Sequence, residues 1–359
     1  MMHVYIIAEA GVNHNGNIEL AYKLIDLAVE AKADAVKFQT FVADSLVTKS
    51  ANKADYQIDT SDAGESQHAM LARLEFTQSQ FADLQKYCRV KGIDFLSTAF
   101  DQASLEFLHR DLKLDKLKIA SGELTNAPFV LEHARTGRDL IVSTGMADIE
   151  DIKAALSVIA FGYLTEAGHA DPSTSDFEKA YSSLEGQDLL AEKVTLLHCT
   201  TEYPTPIEDV NLLAIDGMRR LFGGEVGYSD HTQGIIVPIA AVALGATIIE
   251  KHFTLDCSME GPDHSASLGP DDLKAMILAI RATELALGCK EKRVTTSELA
   301  NRYVVRKSIV ATKAIKEGDL YSSSNIGIMR PGTGLSPYLY WQILGTRAKT
   351  SVGPGEGIE

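Results

Sequence analysis

Residues 4–39 read VYIIAEAGVNHNGNIELAYKLIDLAVEAKADAVKFQ. The run from Val4 to Glu9 is too short for a helix. It is also too continuously apolar for a half-exposed strand, so it reads as a strand buried on both faces. Asn17 then caps a stretch whose apolar residues recur at helical spacing. AVKFQ at 35–39 returns to the first pattern. A strand, a helix and a second strand in 36 residues form a unit that lays its two strands parallel.

The alternation continues outward from this unit. DFLST (94–98), LKIAS (117–121), LIVST (140–144), VTLLHC (194–199), EVGYS (225–229) and TIIEKHF (247–253) bring the apolar runs to eight. Helical stretches lie between them. Thr77 and Gln80 stand in capping-box relation, and Gly92 stops that helix. Asp101, Asn126 and Asp148 head others, and Pro270 takes a first-turn position. Eight such units favour a closed (β/α)8 TIM barrel over an open doubly wound sheet. No GxGxxG follows the first strand, which weakens a dinucleotide-binding reading.

Two segments exceed a minimal barrel. Residues 41–76 form a long polar connection of the kind reserved for active-site loops. Residues 161–190, acidic and rich in Ser and Gly, read as a surface insertion. The pattern changes after Gly288. The expected organisation is therefore a barrel domain over 1–288, a polar linker over 289–302, and a small β-rich module over 303–359. So small a module has little core of its own.

The 359 residues carry a net charge of −15, which argues against a nucleic-acid partner. An anionic substrate would therefore need positive charge concentrated in a pocket. No run of about 18 apolar residues is present to span a membrane. The four cysteines show no CxxC spacing, and the N-terminal apolar run reads as a strand rather than a signal peptide. Both point to a reducing cytoplasm.

Barrel active sites form at the C-terminal ends of the strands. The polar residues falling there are Glu9, Lys37, Gln39, Thr98, Lys118, Ser121, Glu123, Ser143, the span from His198 to Tyr203, Ser229, His231 and His252. His231 and His252 lie 21 residues apart on neighbouring strands, about 4.8 Å from each other across a sheet. Two neutral imidazoles could share a divalent ion acting as a Lewis acid. Equally, His231 could cap the next helix while His252 sits hydrogen-bonded in the core. Lys37 and Lys118 suit phosphate and carboxylate recognition with the nearby hydroxyls, or a Schiff base, or simple extension to the rim. Glu9 and Glu123 read as inward carboxylates fit for general-base work, or as salt-bridge partners. NHNG (13–16) is a tight polar turn, and Asp230 either orients His231 or caps a helix.

Nine stretches occur in an order that resembles the sialic acid synthase family, the nonulosonic acid synthases. They are GVNHNG, KFQT, STAF, KIASGE, STGM, HCTTEYPTP, YSDHT, EKHF and RPGTG, and they span the chain from Glu9 to about Gly345. The resemblance implies a TIM barrel followed by an antifreeze-like (SAF) domain, in a domain-swapped homodimer. It implies condensation of phosphoenolpyruvate with an N-acylated amino sugar. By motif, His231 and His252 resemble ligands of a divalent metal, usually Mn²⁺, with Mg²⁺ and Co²⁺ as alternatives. Lys37, Thr98, Lys118, Ser121, Ser143 and Ser229 resemble the phosphoenolpyruvate-binding set. Glu9, Gln39, Glu123 and Tyr203 match positions around the sugar, with Glu123 the candidate for moving protons. Arg330 resembles an arginine that reaches across the dimer to the N-acyl group.

KADYQ (53–57), EGPDHSASL (260–268) and RPGTGLSPYLYW (330–341) look more like the branch making N,N'-diacetyllegionaminate from 2,4-diacetamido-2,4,6-trideoxymannose. The alternative is N-acetylmannosamine giving N-acetylneuraminate, with residues 41–76 as the expected selectors. Two competing readings are a 3-deoxy-octulosonate type of synthase and a non-enzymatic carbohydrate- or ice-binding protein. The first would need a second phosphate site, and the second leaves the strand-end residues without a purpose.

Overall fold

The computed structural model describes residues 3–49, 51, 53, 65–165 and 172–359. They divide into two units, Met1–Gly288 and Cys289–Glu359.

The first unit is a closed barrel of eight parallel strands in chain order. They are β1 (Tyr5–Gly11), β2 (Ala35–Thr40), β3 (Asp94–Ala99), β4 (Lys116–Ile119), β5 (Asp139–Ser143), β6 (Val194–His198), β7 (Glu225–Asp230) and β8 (Ile248–His252). β1 closes the ring against β8, with Glu9 opposite His252. The runs are apolar on both faces because both are covered. One face packs on the helices, and the other on an inner cluster of Ile7, Ala35, Leu96, Ile141, Leu197 and Ile248. Gly227 completes that layer by omission: a Cβ there would lie 2.6 Å from the Ile248 carbonyl oxygen. Side chains alternate along a strand, so the next inward residue is two positions on. In β1, β2, β3, β5 and β8 it is polar: Glu9, Lys37, Thr98, Ser143 and Glu250. The apolar layer is thus the floor beneath a polar mouth.

Local chemistry sets the helix ends. The Asn17 side chain accepts from the Glu19 N–H at 2.9 Å to open helix Ile18–Ala31. Thr77 and Gln80 form a capping box at helix Gln78–Lys91, and Gly92 ends it at φ 75°.

Two segments carry more structure than their composition suggests. The surface insertion expected over 161–190 is helical where it is described. That part completes helix Ile149–Leu164 and builds helices Thr174–Ser182 and Leu184–Lys193. Ala180 and Leu190 join the main core, and Phe177 meets Phe161 edge-on at 5.3 Å. The supposed linker 289–302 is helical from Thr296, with Thr295 and Glu298 boxing the start of Thr296–Val305.

The second unit also holds an antiparallel pair, β9 (Ser308–Ala311) and β10 (Ile326–Met329). Isolated bridges such as Ile315 to Val352 extend the pairing around a core of Ile309, Ala311, Ile315, Tyr321, Ile326, Ala348 and Ile358.

Candidate active site

The mouth of the barrel opens into a cavity of about 340 Å³. Its floor is an ionic cluster built by strand register. Lys37 Nζ lies 2.7 Å from Glu9 Oε2, donates to Thr98 Oγ1 at 3.0 Å, and stands 3.6 Å from Glu250. Lys118 Nζ donates to Ser143 Oγ at 2.6 Å and lies 3.9 Å from Glu250. Ser229 Oγ donates to Glu250 Oε1 at 3.0 Å. All these side chains are buried.

Burial divides the two carboxylates. It raises Glu9 above the ordinary carboxylate range, against the pull of Lys37. It pushes Glu250 up as well, but Lys118, Lys37 and the Ser229 hydroxyl outweigh it and hold Glu250 low. Burial draws Lys118 down, whereas Glu250 and Glu9 overcome that effect at Lys37. The result is two desolvated ammonium groups with hydroxyl donors between them, the chemistry a phosphate and a carboxylate require.

The histidines stand beside this floor, ring centroids 5.8 Å apart. His231 Nδ1 is 2.6 Å from the Thr200 carbonyl oxygen, which makes it the protonated nitrogen and leaves Nε2 with a lone pair. His252 Nδ1 is buried with no hydrogen-bond partner, 3.7 Å from Asp263 Oδ2. Burial lowers the pKa of both rings, keeping them neutral. Neutral rings with open lone pairs fit a divalent cation. Among the described residues no group of three or more His, Cys, Asp or Glu could hold a metal. His231 and His252 would be the protein's donors to such an ion, with further positions left to water or substrate. The Tyr203 ring lies 4.1 Å from His231.

Ser121 accepts from the Gly145 N–H at 3.0 Å and lies 3.3 Å from Cys199 Sγ. A Cβ at Gly145 would overlap the Thr201 hydroxyl and lie 2.8 Å from Ser121 Oγ, so a larger residue would push these side chains aside. Gln39 Nε2 donates to Glu9 Oε1 at 3.4 Å. Glu123 departs from expectation. β4 ends at Ile119 and the chain turns through a 3₁₀ segment, Ser121–Glu123. Glu123 is thus a half-buried wall residue, accepting from Asn126 Nδ2 at 2.8 Å, rather than an inward strand-end carboxylate. His198 also leaves the set: it points outward and bonds the Val210 carbonyl. Arg330 belongs to the second unit, exposed immediately after β10.

Sequence reasoning missed Glu250 and Asp263. Glu250 shares the inward parity of His252, which strand alternation reveals. Asp263 sits on the loop after β8, where no periodicity points to it. Asp230 neither caps a helix nor touches the cavity. It accepts from Tyr228, from the Thr232 N–H and hydroxyl, and from Lys251 Nζ at 2.5 Å. Val12, Phe41, Leu46, Met70, Leu71 and Leu74 form an apolar wall facing the ionic floor. KADYQ lies largely outside the described residues. A larger hollow of about 830 Å³ opens at the strand starts. There Tyr5 donates to Asp94 at 2.6 Å.

The NeuB family model matches residues 24–292 and the SAF domain model matches residues 306–359. The chain is 43% identical over 345 residues to the N,N'-diacetyllegionaminic acid synthase of Campylobacter jejuni, covering 96% of each. It is 40% identical over 354 residues to the protein of that name from Legionella pneumophila, covering 99% of this chain and 93% of that one. Among solved structures it resembles the N-acetylneuraminic acid (sialic acid) synthetase of Leptospira borgpetersenii, with a TM-score of 0.66 and 31% identity. That match covers 83% of this chain and 90% of the other.

Proposed function

The chain belongs to the NeuB family, and from that premise we propose that it condenses phosphoenolpyruvate with 2,4-diacetamido-2,4,6-trideoxymannose, giving N,N'-diacetyllegionaminate and phosphate. The observation that carries this reading is the ionic floor, in which Lys37 and Lys118 are buried among hydroxyls beside two neutral histidines. The names of the two relatives favour the legionaminate sugar, and the apolar wall suits a substrate carrying a methyl in place of a hydroxymethyl group. N-acetylmannosamine, giving N-acetylneuraminate, is the second reading, favoured by the likeness to the Leptospira synthetase.

In this reading Lys37, Thr98, Lys118, Ser121, Ser143 and Ser229 bind phosphoenolpyruvate and offset its charge. A divalent ion on His231 and His252, Mn²⁺ with Mg²⁺ or Co²⁺ as alternatives, would supply Lewis acidity to the open-chain aldehyde. C3 of phosphoenolpyruvate then bonds the aldehyde carbon, whose oxygen takes up a proton. Positive charge develops at C2, and Glu250 on the floor would offset it, with Glu9 beside the sugar. Water adds at C2, one of its protons passing to Glu123 to replace the one taken up by the aldehyde oxygen. As the C–O bond to phosphate breaks, the remaining hydroxyl proton leaves with the phosphate and C2 becomes a carbonyl. Gln39 and Tyr203 contact the sugar. Arg330 reaches it from the second subunit of a domain-swapped homodimer working in the cytoplasm. Among the described residues no helix is long and apolar enough to cross a membrane.

Phosphate release with each sugar, with and without EDTA, tests the proposal. Release with the diacetamido sugar that EDTA suppresses is expected; release with neither sugar overturns it.

A further inference from the structure

The NHNG turn donates nothing to the cavity, yet two walls of the cavity end on it. On one side is the loop after β8, which places Pro262 and Asp263 at the mouth. Asn13 Nδ2 donates to the Phe253 carbonyl at 2.8 Å and to Ser267 Oγ at 2.9 Å. Ser267 Oγ in turn donates to the Asp263 carbonyl at 2.6 Å. Asn15 Nδ2 donates to the Glu260 carbonyl at 2.9 Å. That fixes Asn15 Oδ1 as an acceptor, 3.2 Å from His264 Nε2. His264 Nε2 must then carry the proton, so Nδ1 accepts from the Thr254 hydroxyl at 2.6 Å. His264 is fully buried. Gly261 is what lets these groups meet: a Cβ there would lie 2.6 Å from His264 Cδ2 and 2.8 Å from Asn15 Oδ1.

On the other side is the connection after β2, whose helix Gln67–Leu74 supplies Met70, Leu71 and Leu74 to the apolar wall. His14 is buried and stacks on Phe76 at 3.9 Å, two residues past that helix. Gly16, at φ 70°, lies so close to the Arg73 carbonyl oxygen that any Cβ would collide with it. His14 Nδ1 accepts from the Gly16 N–H at 3.1 Å, which ties the two contacts into one turn.

We propose that the NHNG turn is a clasp that sets the two loops facing the sugar as a single unit, with Asn15 and His264 as its positioning residues. The proposal rests on the synthase reading for what the loops contact, though not for the clasp itself. The ionic floor hangs on strand register and is independent of these bonds. Loosening the clasp therefore acts on the sugar side and spares phosphoenolpyruvate.

Asn15→Gly tests this without strain, since glycine accepts the φ of 50° that Asn15 holds. Losing these hydrogen bonds should raise the sugar KM about fivefold, with the phosphoenolpyruvate KM changed less than about twofold. His264→Gln, which keeps an N–H donor toward Asn15, should recover most of the sugar affinity lost in His264→Ala. Hydrogen–deuterium exchange on Asn15→Gly should quicken in 254–268 and in 65–76 together, although Asn15 makes its side-chain hydrogen bonds only with the first. Faster exchange in 254–268 alone, or equal rises in both KM values, overturns the clasp. A wild-type enzyme that releases phosphate with neither sugar overturns the synthase reading instead, and the exchange comparison still decides the clasp.

Discussion

Glu250 faces Lys37 across 3.6 Å at the floor of the mouth, and its other oxygen lies 3.9 Å from Lys118. The carboxylate thus holds two buried ammonium groups in place before any anion arrives. Removing one partner of a buried pair strands the other charge, which costs about 3 kcal/mol or more. Glu250→Gln keeps the shape and an oxygen for Ser229 but loses the charge. The free enzyme should unfold several degrees lower in a thermal-shift assay. Phosphoenolpyruvate should then raise the melting temperature by more than it does in wild type, because it restores the missing negative charge. A variant whose free form melts as wild type does would refute this compensating role.

In the proposed reading Lys37 and Lys118 each bring one charge to phosphoenolpyruvate from a different strand. Lys37→Ala and Lys118→Ala should each raise the phosphoenolpyruvate KM by about tenfold to a hundredfold, the scale of a lost hydrogen bond to a charged group. The sugar KM should move far less. Neither lysine forms a Schiff base in the proposed reaction, since the enol carbon is already nucleophilic. Borohydride in the presence of phosphoenolpyruvate should therefore add no mass to the protein. A trapped lysine adduct in the mass spectrum would replace this mechanism with a covalent one.

The barrel and the floor were legible in the sequence for one shared reason. A strand buried on both faces is a continuous apolar run, and its polar interruptions at the end fall at inward parity, as at Lys37, Thr98 and His252. Glu250 obeys the same parity but sits inside EKHF, where the histidine drew attention. Glu123 was misplaced because the 3₁₀ turn after Ile119 breaks the alternation that any strand-end assignment relies on. Asp263, Asn15 and His264 lie in loops, where hydrogen bonds between distant segments decide position and leave no period to read. Helix Thr296–Val305 was written out in its Thr295–Glu298 box and in Leu299 and Tyr303 at helical spacing, but the polar residues before it masked the signal. The helices of 174–193 were hidden by their polar composition, which obscured the few residues, Ala180 and Leu190, that join the core.

In the proposed reading His231 and His252 hold the divalent ion, so losing either should weaken its binding sharply. His231→Ala and His252→Ala should each bind Mn²⁺ at least about tenfold more weakly by calorimetry, with far-ultraviolet circular dichroism unchanged. Phosphate release should fall to background in both. A variant that keeps wild-type Mn²⁺ affinity would remove that histidine from the metal site.

Lys251 and Asp230 form a second buried pair, on the helix-facing side of β7 and β8 and away from the cavity. Lys251 Nζ also donates to the Thr232 carbonyl at 2.5 Å, so one ammonium group ties β8 to the segment that carries His231. Lys251→Met keeps the stem but leaves Asp230 buried and uncompensated, and should destabilise the barrel by about 3–5 kcal/mol. Urea unfolding measures that loss directly. The double variant Lys251→Met with Asp230→Asn removes both charges yet keeps an oxygen for Tyr228 and Thr232, and should recover part of the stability, because no uncompensated charge stays buried. The bond from Lys251 to the Thr232 carbonyl is still missing in the double variant. It should therefore unfold nearer wild type than the single variant does, yet bind Mn²⁺ more weakly than wild type. If the double variant regains stability and full Mn²⁺ affinity together, the pair supports the fold alone and has no part in placing His231.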